Sequence, residues 1–333
     1  MKKIWLIILY ILWLGLIVYW AGFLLLSLTS CDNNIEEQTL EENIDNNVLT
    51  SNNEEMDTTN IKDYFVADKV LNNWITMPSL WLWTRTLSNE EAEKCVYEAI
   101  KDGYRLIDTA QYYWDEIWVW RWVRKAIADW LIKREDIFVT SKIYASTDHA
   151  AEIEESLRNL DIDYIDLLLI HQPGFDDKWL YQTMEKYYKE WKLKSIWISN
   201  YYTKEAVDEV LSYAEVIPAV IQNENHIYYQ NTELQDYVKQ YWIIIESWYP
   251  FWWRWHTSEN FNNEVIKQLA EKYNKTSAQI ILRWQLQAWY IAIPWSSNPD
   301  HIAENYNIFD FELSDEDMDE IKNIDKHQRY ENW

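Results

Sequence analysis

Glycine is scarce in this chain. There are 4 glycines among its 333 residues, whereas an average composition of about 7% would supply about two dozen. Tryptophan shows the opposite bias, with 23 residues. The surplus of tryptophan nearly equals the deficit of glycine. Backbone positions that need a left-handed conformation must therefore mostly be filled by residues other than glycine.

Cysteine and basic residues are also few. Two cysteines, Cys31 and Cys95, cannot form a disulfide framework or a cysteine-rich metal cluster, so no metal site is expected. Cys95 lies in a predicted helix, where we expect a buried free thiol. Only 30 basic residues stand against 55 acidic ones, for a net charge of −25. That charge argues against nucleic acid or an anionic lipid surface as a partner of the folded part.

A long apolar run follows the charged start Met1-Lys2-Lys3 and covers residues 4–28. This pattern is typical of an export signal or a membrane anchor. The run ends in Leu28-Thr29-Ser30-Cys31, which resembles the lipobox of bacterial lipoproteins, where Cys31 would become the lipidated first residue. We therefore predict a signal peptide or anchor over 1–31. The alternatives are an uncleaved anchor and a mis-assigned start, since translation from Met56 would give a cytoplasmic protein.

Residues 32–62 are dominated by Asn, Glu, Asp and Thr. They carry too little apolar surface to offset the entropy of ordering the chain, so we predict a flexible acidic tether. Positive charge before the apolar run and negative charge after it place the tether and the folded domain, residues 63–333, on the extracytoplasmic face of the membrane.

Eight apolar runs, each ending in polar or aromatic residues, alternate with amphipathic segments of helical length. The runs are 80–83, 106–107, 137–140, 165–170, 195–198, 219–221, 243–245 and 291–294. The helical segments are 89–101, 115–128, 148–159, 177–190, 204–214, 232–240, 262–273 and 299–307. This alternation predicts a (β/α)8 TIM barrel. A doubly wound open sheet is the alternative, but its Gly-rich phosphate fingerprint after the first strand is missing.

The strand ends carry a specific set of polar motifs. They are Asp108-Thr109-Ala110 with Tyr113, Ser141-Lys142, His171-Gln172-Pro173, Ser199-Asn200-Tyr201, Gln222, and Ile293-Pro294 with Ser296. Spread over most of the strand ends, these motifs resemble those of the aldo-keto reductases. The resemblance covers residue 70 to the C-terminus and implies a nicotinamide-dependent oxidoreductase that reduces aldehydes or ketones. It also implies that residues 71–75 belong to a short hairpin that closes the bottom of the barrel.

Asp108, Tyr113, Lys142 and His171 match the catalytic tetrad of that family. Reducing a carbonyl by hydride leaves an alkoxide that must be protonated, and a phenol with a pKa near 10 needs help to act as the acid at neutral pH. An ammonium group beside Tyr113 would stabilise the phenolate, and Asp108 would keep Lys142 charged. His171 would orient the substrate carbonyl.

Further positions match the family's cofactor site. Those implied to bind the cofactor are Thr84, Ser199, Asn200, Gln222, Trp248, Pro250, Ser296, Ser297, His301, Glu304 and Asn305. Trp248 would stack on the nicotinamide ring. Tyr144 falls where the family has an aromatic wall of the substrate pocket, and a plain surface tyrosine is the alternative.

The last strand departs from the family pattern. Trp295 and His301 stand where family members commonly carry the Lys and Arg that hold the 2′-phosphate of NADP. Two charge-assisted contacts are therefore missing, so we expect NADPH with weak discrimination against NADH. The expected partners are a small carbonyl substrate and the membrane, and the expected assembly is a monomer. A non-catalytic cofactor-binding sensor or partner subunit is the alternative function.

The positions of the tryptophans support the compositional bias. Trp130, Trp191, Trp242 and Trp289 each follow a predicted helix and precede a strand, where a left-handed glycine is usual. The others that fall where relatives tend to carry glycine are Trp74, Trp81, Trp83, Trp114, Trp118, Trp120, Trp122, Trp197, Trp252, Trp253, Trp255 and Trp295. We infer that UGA codons meaning glycine in the source organism are rendered here as tryptophan. The alternative is a genuinely tryptophan-rich barrel, whose extra indoles would crowd the cofactor cleft.

Overall fold

The computed structural model describes residues 68–251 and 256–331. The predicted signal or anchor, its lipobox Cys31 and the acidic tether lie outside the described residues. The described part begins with an antiparallel hairpin of β1 (Asp68–Val70) and β2 (Thr76–Pro78), in which Lys69 is the partner of Met77. The predicted hairpin is therefore present, but residues 71–75 form only its turn, and the paired strands lie on either side of them.

A barrel of eight parallel strands follows. The strands are β3 (Leu82–Trp83), β4 (Leu106–Asp108), β5 (Phe138–Ile143), β6 (Leu167–Ile170), β7 (Ile196–Ser199), β8 (Val220–Glu224), β9 (Ile244–Trp248) and β10 (Ile291–Ile293). They pair in chain order from β3 to β10. Parallel bridges from Leu80 to Ala292 and from Trp83 to Trp295 close the last gap. The predicted (β/α)8 barrel is thereby confirmed.

Helices connect the strands and cover the outside of the barrel. They are α1 (Asn89–Asp102), α2 (Glu116–Ala128), α3 (His149–Leu160), α4 (Asp177–Lys189), α5 (Lys204–Tyr213), α6 (Thr232–Val238), α7 (Thr257–Phe261), α8 (Glu264–Tyr273), α9 (Ser277–Gln287), α10 (Pro299–Tyr306) and α11 (Asp315–Lys322). None of the described helices is long and apolar enough to span a membrane.

The sequence analysis missed α7, α9 and α11. Helix α9 is buried on nearly every face, including the side chains of Gln279, Arg283 and Gln285. A helix buried all round has no exposed polar stripe, so its sequence lacks the amphipathic signal that marks the others. Its start is nevertheless encoded locally, because Thr276 and Gln279 form a capping box.

Six tryptophans have a left-handed backbone. They are Trp74, Trp114, Trp130, Trp191, Trp242 and Trp289, with φ between 58° and 70°. For an L-residue this conformation costs roughly 1–2 kcal/mol, because Cβ approaches the following carbonyl oxygen. The indoles gain little burial in return: Trp130 is 93% exposed and Trp74 is 87% exposed.

The same structural position is filled by glycine elsewhere in this barrel. Gly103 ends α1 with φ 111° and donates its N–H to the helix carbonyls. Trp130, Trp191 and Trp289 occupy the corresponding place after α2, α4 and α9. After α3 and α8 the left-handed residues are Asp161 and Asn274, types that tolerate this conformation. Tryptophan is the exception in this set, as expected if glycine belongs there.

Cys95 lies on the buried face of α1 as a free thiol. Burial raises the pKa of its thiol to about 11. A thiol with that pKa stays protonated at neutral pH and behaves as a small apolar side chain. The predicted structural role of Cys95 agrees with this environment.

Candidate active site

Four side chains from three strand ends and one short turn meet at the carboxyl end of the barrel. Lys142 of β5 forms a fully buried ion pair with Asp108 of β4. Its Nζ also lies 3.3 Å from the hydroxyl of Tyr113, in the 3-10 turn Gln111–Tyr113. The ring of His171, just after β6, packs edge-on against Tyr113 with centroids 5.6 Å apart. The four residues predicted from the motifs are thus brought together.

Burial sets the protonation state of this group. It raises the pKa of the Tyr113 phenol well above 10, and the charge of Asp108 adds to the shift. Burial also raises the pKa of Asp108, but the ammonium of Lys142 and the amide of Gln222 oppose that change. Tyr113 is therefore a protonated phenol held next to a cation.

His171 is neutral at pH 7. Burial lowers the pKa of its imidazole well below 6.5, and the positive charges of Lys142 and Arg85 lower it further. The ring stacks on Tyr144 with centroids 4.6 Å apart and an interplanar angle of 21°. A neutral imidazole fixed in this way carries one N–H, which suits hydrogen bonding to a carbonyl oxygen rather than proton transfer.

A second buried carboxyl group stands behind the tetrad. Glu246 of β9 is the register partner of Gln222 on β8. The Nε2 of Gln222 donates to Glu246 and also, at 3.2 Å, to Oδ2 of Asp108. Because two carboxyl groups take the amide N–H groups, the orientation of the Gln222 amide is fixed. Sequence analysis missed Glu246, although its place at a strand end is a usable signal.

The tetrad opens into a cavity of about 240 Å³. Its lining residues are Trp83, Arg85, Tyr112, Tyr113, Tyr144, His171, Gln172, Ser199, Asn200, Gln222 and Trp248. Tyr144 therefore lines the pocket, as the resemblance implies. Arg85 and Tyr112 went unrecognised, although each is a chain neighbour of a predicted site residue.

A second cavity of about 310 Å³ lies beyond the end of β9. Its lining includes five of the residues implied to bind the cofactor, namely Pro250, Ser296, His301, Glu304 and Asn305, together with Trp295. Tyr249 also lines it and contacts both Trp83 and Trp248, with ring centroids 4.7 Å apart in each case. Aromatic side chains thus stand between the two cavities.

Two predicted cofactor residues lie outside both linings. Thr84 is buried, and its N–H and hydroxyl both donate to the carbonyl oxygen of Asp108 at 3.1 Å. It therefore ties the end of β3 to the end of β4. Ser297 is half-buried beside Ser296 and lines neither cavity.

The comparison with known families is decisive. The family model described as Aldo/keto reductase family matches residues 76–326. The chain belongs to the aldo/keto reductase family. It is thus an oxidoreductase, and carbonyl reduction is the reaction that its family name denotes.

Relatives resemble this aldo/keto reductase over nearly their whole length. Glyoxal reductase of Bacillus subtilis is 41% identical, with 78% of this chain and 93% of that protein covered. The NADPH-dependent D-xylose reductase of Meyerozyma guilliermondii is 33% identical, over 79% of this chain and 95% of that one.

Solved structures agree. An aldo-keto reductase from a Medee basin deep-sea metagenome library has a TM-score of 0.74 and 34% identity, with 80% of this chain and 97% of that one covered. The Bombyx mori aldo-keto reductase in complex with NADP also has a TM-score of 0.74, with 30% identity over 80% of this chain and 94% of that chain.

Proposed function

We propose that this reductase converts small aldehydes and ketones to alcohols with NADPH, and that Tyr113 is the general acid. One observation carries the proposal: the Tyr113 hydroxyl lies 3.3 Å from the Nζ of a lysine that is itself paired with a buried carboxylate. The 41% identity to a glyoxal reductase supports small reactive aldehydes as the substrate class.

The chain's own residues would act in sequence on the carbonyl oxygen. Neutral His171 donates a hydrogen bond that orients the carbonyl in the cavity. The Tyr113 hydroxyl then gives its proton to the oxygen as negative charge develops there. Lys142 stabilises the phenolate that remains, and Asp108 keeps Lys142 charged in a buried environment.

The chemical groups of the lining residues suit a nicotinamide cofactor. Ser199, Asn200 and Gln222 line the small cavity beside Trp248, and they supply the hydroxyl and amide groups that a carboxamide requires. With Nε2 of Gln222 taken by carboxyl groups, its Oε1 is the atom that can accept from a carboxamide N–H. When bound, the cofactor supplies the hydride. The second cavity would hold its adenosine end through Ser296, Glu304 and Asn305.

The test is turnover by the purified barrel. Mixed with glyoxal, methylglyoxal and a panel of simple aldehydes, the barrel should oxidise NADPH. Tyr113→Phe should reduce kcat by about a hundredfold or more, because it removes the only atom that gives the proton. Tyr188→Phe, on the outer helix α4, is the matched control and should keep parental activity. Tight cofactor binding without turnover would instead favour a non-catalytic binding protein.

We also propose that the barrel acts as a monomer tethered to the extracytoplasmic face of a membrane. The support is the sequence alone: the charged start, the apolar run and the lipobox ending in Cys31. Cys31→Ser should release the protein from membranes or block its processing. If that variant is processed and partitions like the parent, the lipid attachment is wrong. N-terminal sequencing of the native protein would reveal a start at Met56.

A further inference from the structure

One permanently charged side chain lines the small cavity. Among its eleven lining residues, Arg85 is the one Arg, Lys, Asp or Glu, and the rest are aromatic, amide, hydroxyl or imidazole groups. Arg85 follows β3 by two residues and is half-buried. Its Nη1 lies 3.4 Å from the hydroxyl of Tyr249, and its guanidinium carbon lies 5.8 Å from the centre of the Trp83 ring.

Two further charges, those of Asp108 and Lys142, lie behind the cavity wall. Asp108 and Lys142 neutralise each other as a buried pair. Burial and the charge of Asp108 raise the pKa of the Glu246 carboxyl well above 4.5. The positive field of Arg85 extends to both reacting groups, since it lowers the pKa of His171 and opposes the rise in the pKa of Tyr113.

From this arrangement we infer that Arg85 is a specificity-determining residue, which binds a carboxylate carried by the carbonyl substrate. The inference rests on the proposed reductase function and narrows its substrate class to oxo acids. A guanidinium matches a carboxylate in shape and donates two parallel hydrogen bonds to it. With the carboxylate on Arg85, the carbonyl end of the molecule faces Tyr113 and His171 across the same cavity.

The C-terminal segment supplies a competing anion. Glu331 lies close enough for Arg85 to oppose the rise that burial and Glu224 cause in the pKa of its carboxyl. The backbone N–H groups of Tyr330 and Glu331 donate to Glu224 at 2.7 and 3.1 Å, which holds this segment near the site. Removing the charge of Glu331 should therefore strengthen the binding of an anionic substrate.

A second source of negative charge is the diphosphate of the cofactor. Arg85 lines the cavity that contains the tetrad but does not line the cavity assigned to the adenosine end. Its place beside Tyr113 and Tyr144 favours the substrate. Experiment can distinguish the two anions. If Arg85 binds the diphosphate, its removal weakens NADPH binding and affects all substrates equally, whether or not they carry a carboxylate.

The experiment compares acids with their methyl esters. Glyoxylate carries its carboxylate next to the aldehyde, and 4-carboxybenzaldehyde carries it across a ring. Each is assayed against its ester with NADPH, in the parent protein and in the Trp83→Gly variant. The kcat/KM ratio of acid to ester should exceed one and fall by about tenfold to a hundredfold in Arg85→Gln. Arg85→Lys should retain part of the acid-to-ester ratio, and Glu331→Gln should raise that ratio above the parental value.

Three outcomes would overturn the inference. An acid-to-ester ratio that stays the same in Arg85→Gln would show that Arg85 does not bind the carboxylate. A larger dissociation constant for NADPH in Arg85→Gln, with the acid-to-ester ratio unchanged, would show that Arg85 binds the cofactor. Absence of turnover on acids and esters alike would refute the proposed reductase function itself. Arg121→Gln, an exposed cation on α2, is the matched control and should leave the ratio and the cofactor affinity as in the parent.

Discussion

The indole N–H of Trp83 donates a hydrogen bond to the hydroxyl of Tyr113 across 3.1 Å. That hydroxyl is the atom proposed to protonate the substrate. The indole therefore stands beside the hydroxyl that a substrate carbonyl must approach. Trp83 also packs on Tyr249, with ring centroids 4.7 Å apart, at the boundary between the two cavities.

We predict that Trp83→Gly increases kcat/KM by about tenfold or more. In the parent protein a substrate must displace the ring from Tyr113 and so break a hydrogen bond worth about 0.5–1.5 kcal/mol. Steady-state kinetics with glyoxal and NADPH measure the change. Trp130→Gly is the control, since Trp130 is 93% exposed and precedes β5 at the opposite end of the barrel. Equal kcat/KM in Trp83→Gly and the parent would show that the indole does not obstruct the site.

The left-handed tryptophans give a second prediction, on stability. Trp130→Gly and Trp242→Gly should each raise the free energy of unfolding by about 1 kcal/mol, because glycine removes the Cβ clash at φ 62° and 58°. Trp122→Gly, inside α2, should do the opposite, since it loses packing and helix propensity. Urea titrations followed by far-UV circular dichroism measure all three. A loss of stability at 130 and 242 would contradict the strain argument.

The third prediction concerns the native protein. If UGA means glycine in the source organism, the peptide from Leu106 to Arg121 isolated from native cells should contain glycine at 114, 118 and 120. The left-handed backbone of Trp114, which is 84% exposed, is the structural reason to choose this peptide. Tandem mass spectrometry reads the residues directly. Tryptophan at all three positions would end the codon interpretation.

Glu246 provides a prediction on pH. The pKa of its carboxyl is raised well above 4.5 in the folded protein, so the folded state binds the proton more tightly than the unfolded state. Stability from this group is thus present at low pH and falls as pH rises from about 4.5 toward the folded pKa. Glu246→Gln does not titrate, and its amide oxygen can still accept from Gln222. The variant should therefore gain stability relative to the parent as pH rises from about 5.5 toward the folded pKa of Glu246.

Urea unfolding at several pH values measures that gain. Glu154→Gln is the comparison, because Lys192 and Tyr187 lower the pKa of Glu154. The contribution of Glu154 is complete above its unfolded pKa, so the difference between Glu154→Gln and the parent should be flat over the same pH range. A flat difference for Glu246→Gln as well would mean that Glu246 is ionised in the folded protein.

Cofactor preference gives the fifth prediction. Trp295 and His301 line the second cavity where the family commonly offers Lys and Arg. We therefore expect NADPH to bind more tightly than NADH, but by less than about a hundredfold, or about 3 kcal/mol. Equilibrium titration of both cofactors decides the matter. A larger preference would mean that other residues hold the 2′-phosphate. In the variant Trp295→Lys, the preference for NADPH over NADH should increase, because the lysine restores one charge-assisted contact with the 2′-phosphate.

Local sequence patterns were sufficient to predict the barrel, and the resemblance of the strand-end motifs to those of a known family predicted the tetrad. A buried parallel strand is a short apolar run that ends in a polar residue, and this pattern repeats at Ile107-Asp108 and at Ile170-His171. The order of the strands along the chain is also their order around the barrel. Because the strands also run parallel, their carboxyl ends lie on the same side of the barrel. The motifs at those ends therefore lie close together.

The starts and ends of the helices are also encoded by neighbouring residues in the sequence. Ser88 with Glu91 and Ser314 with Asp317 form capping boxes at the starts of α1 and α11. The tryptophans after α2 and α4 stand where the chain must turn left-handed, and their φ values confirm what the pattern predicted. A turn of this kind depends on a few consecutive residues, so sequence alone can locate it.

Only the tertiary structure decided which side chains share the cavity. Gln222 touches both Asp108 and Glu246 because strand register and barrel closure set residues far apart in the chain side by side. Arg85 enters the cavity and Trp83 reaches Tyr113 for the same reason. The sequence determined the fold and the strand ends, since these follow from local patterns, and it indicated the tetrad by the resemblance of its motifs to those of the family. The folded barrel determined the pocket's charge and the obstruction at Tyr113, because such contacts depend on the closed geometry of all eight strands.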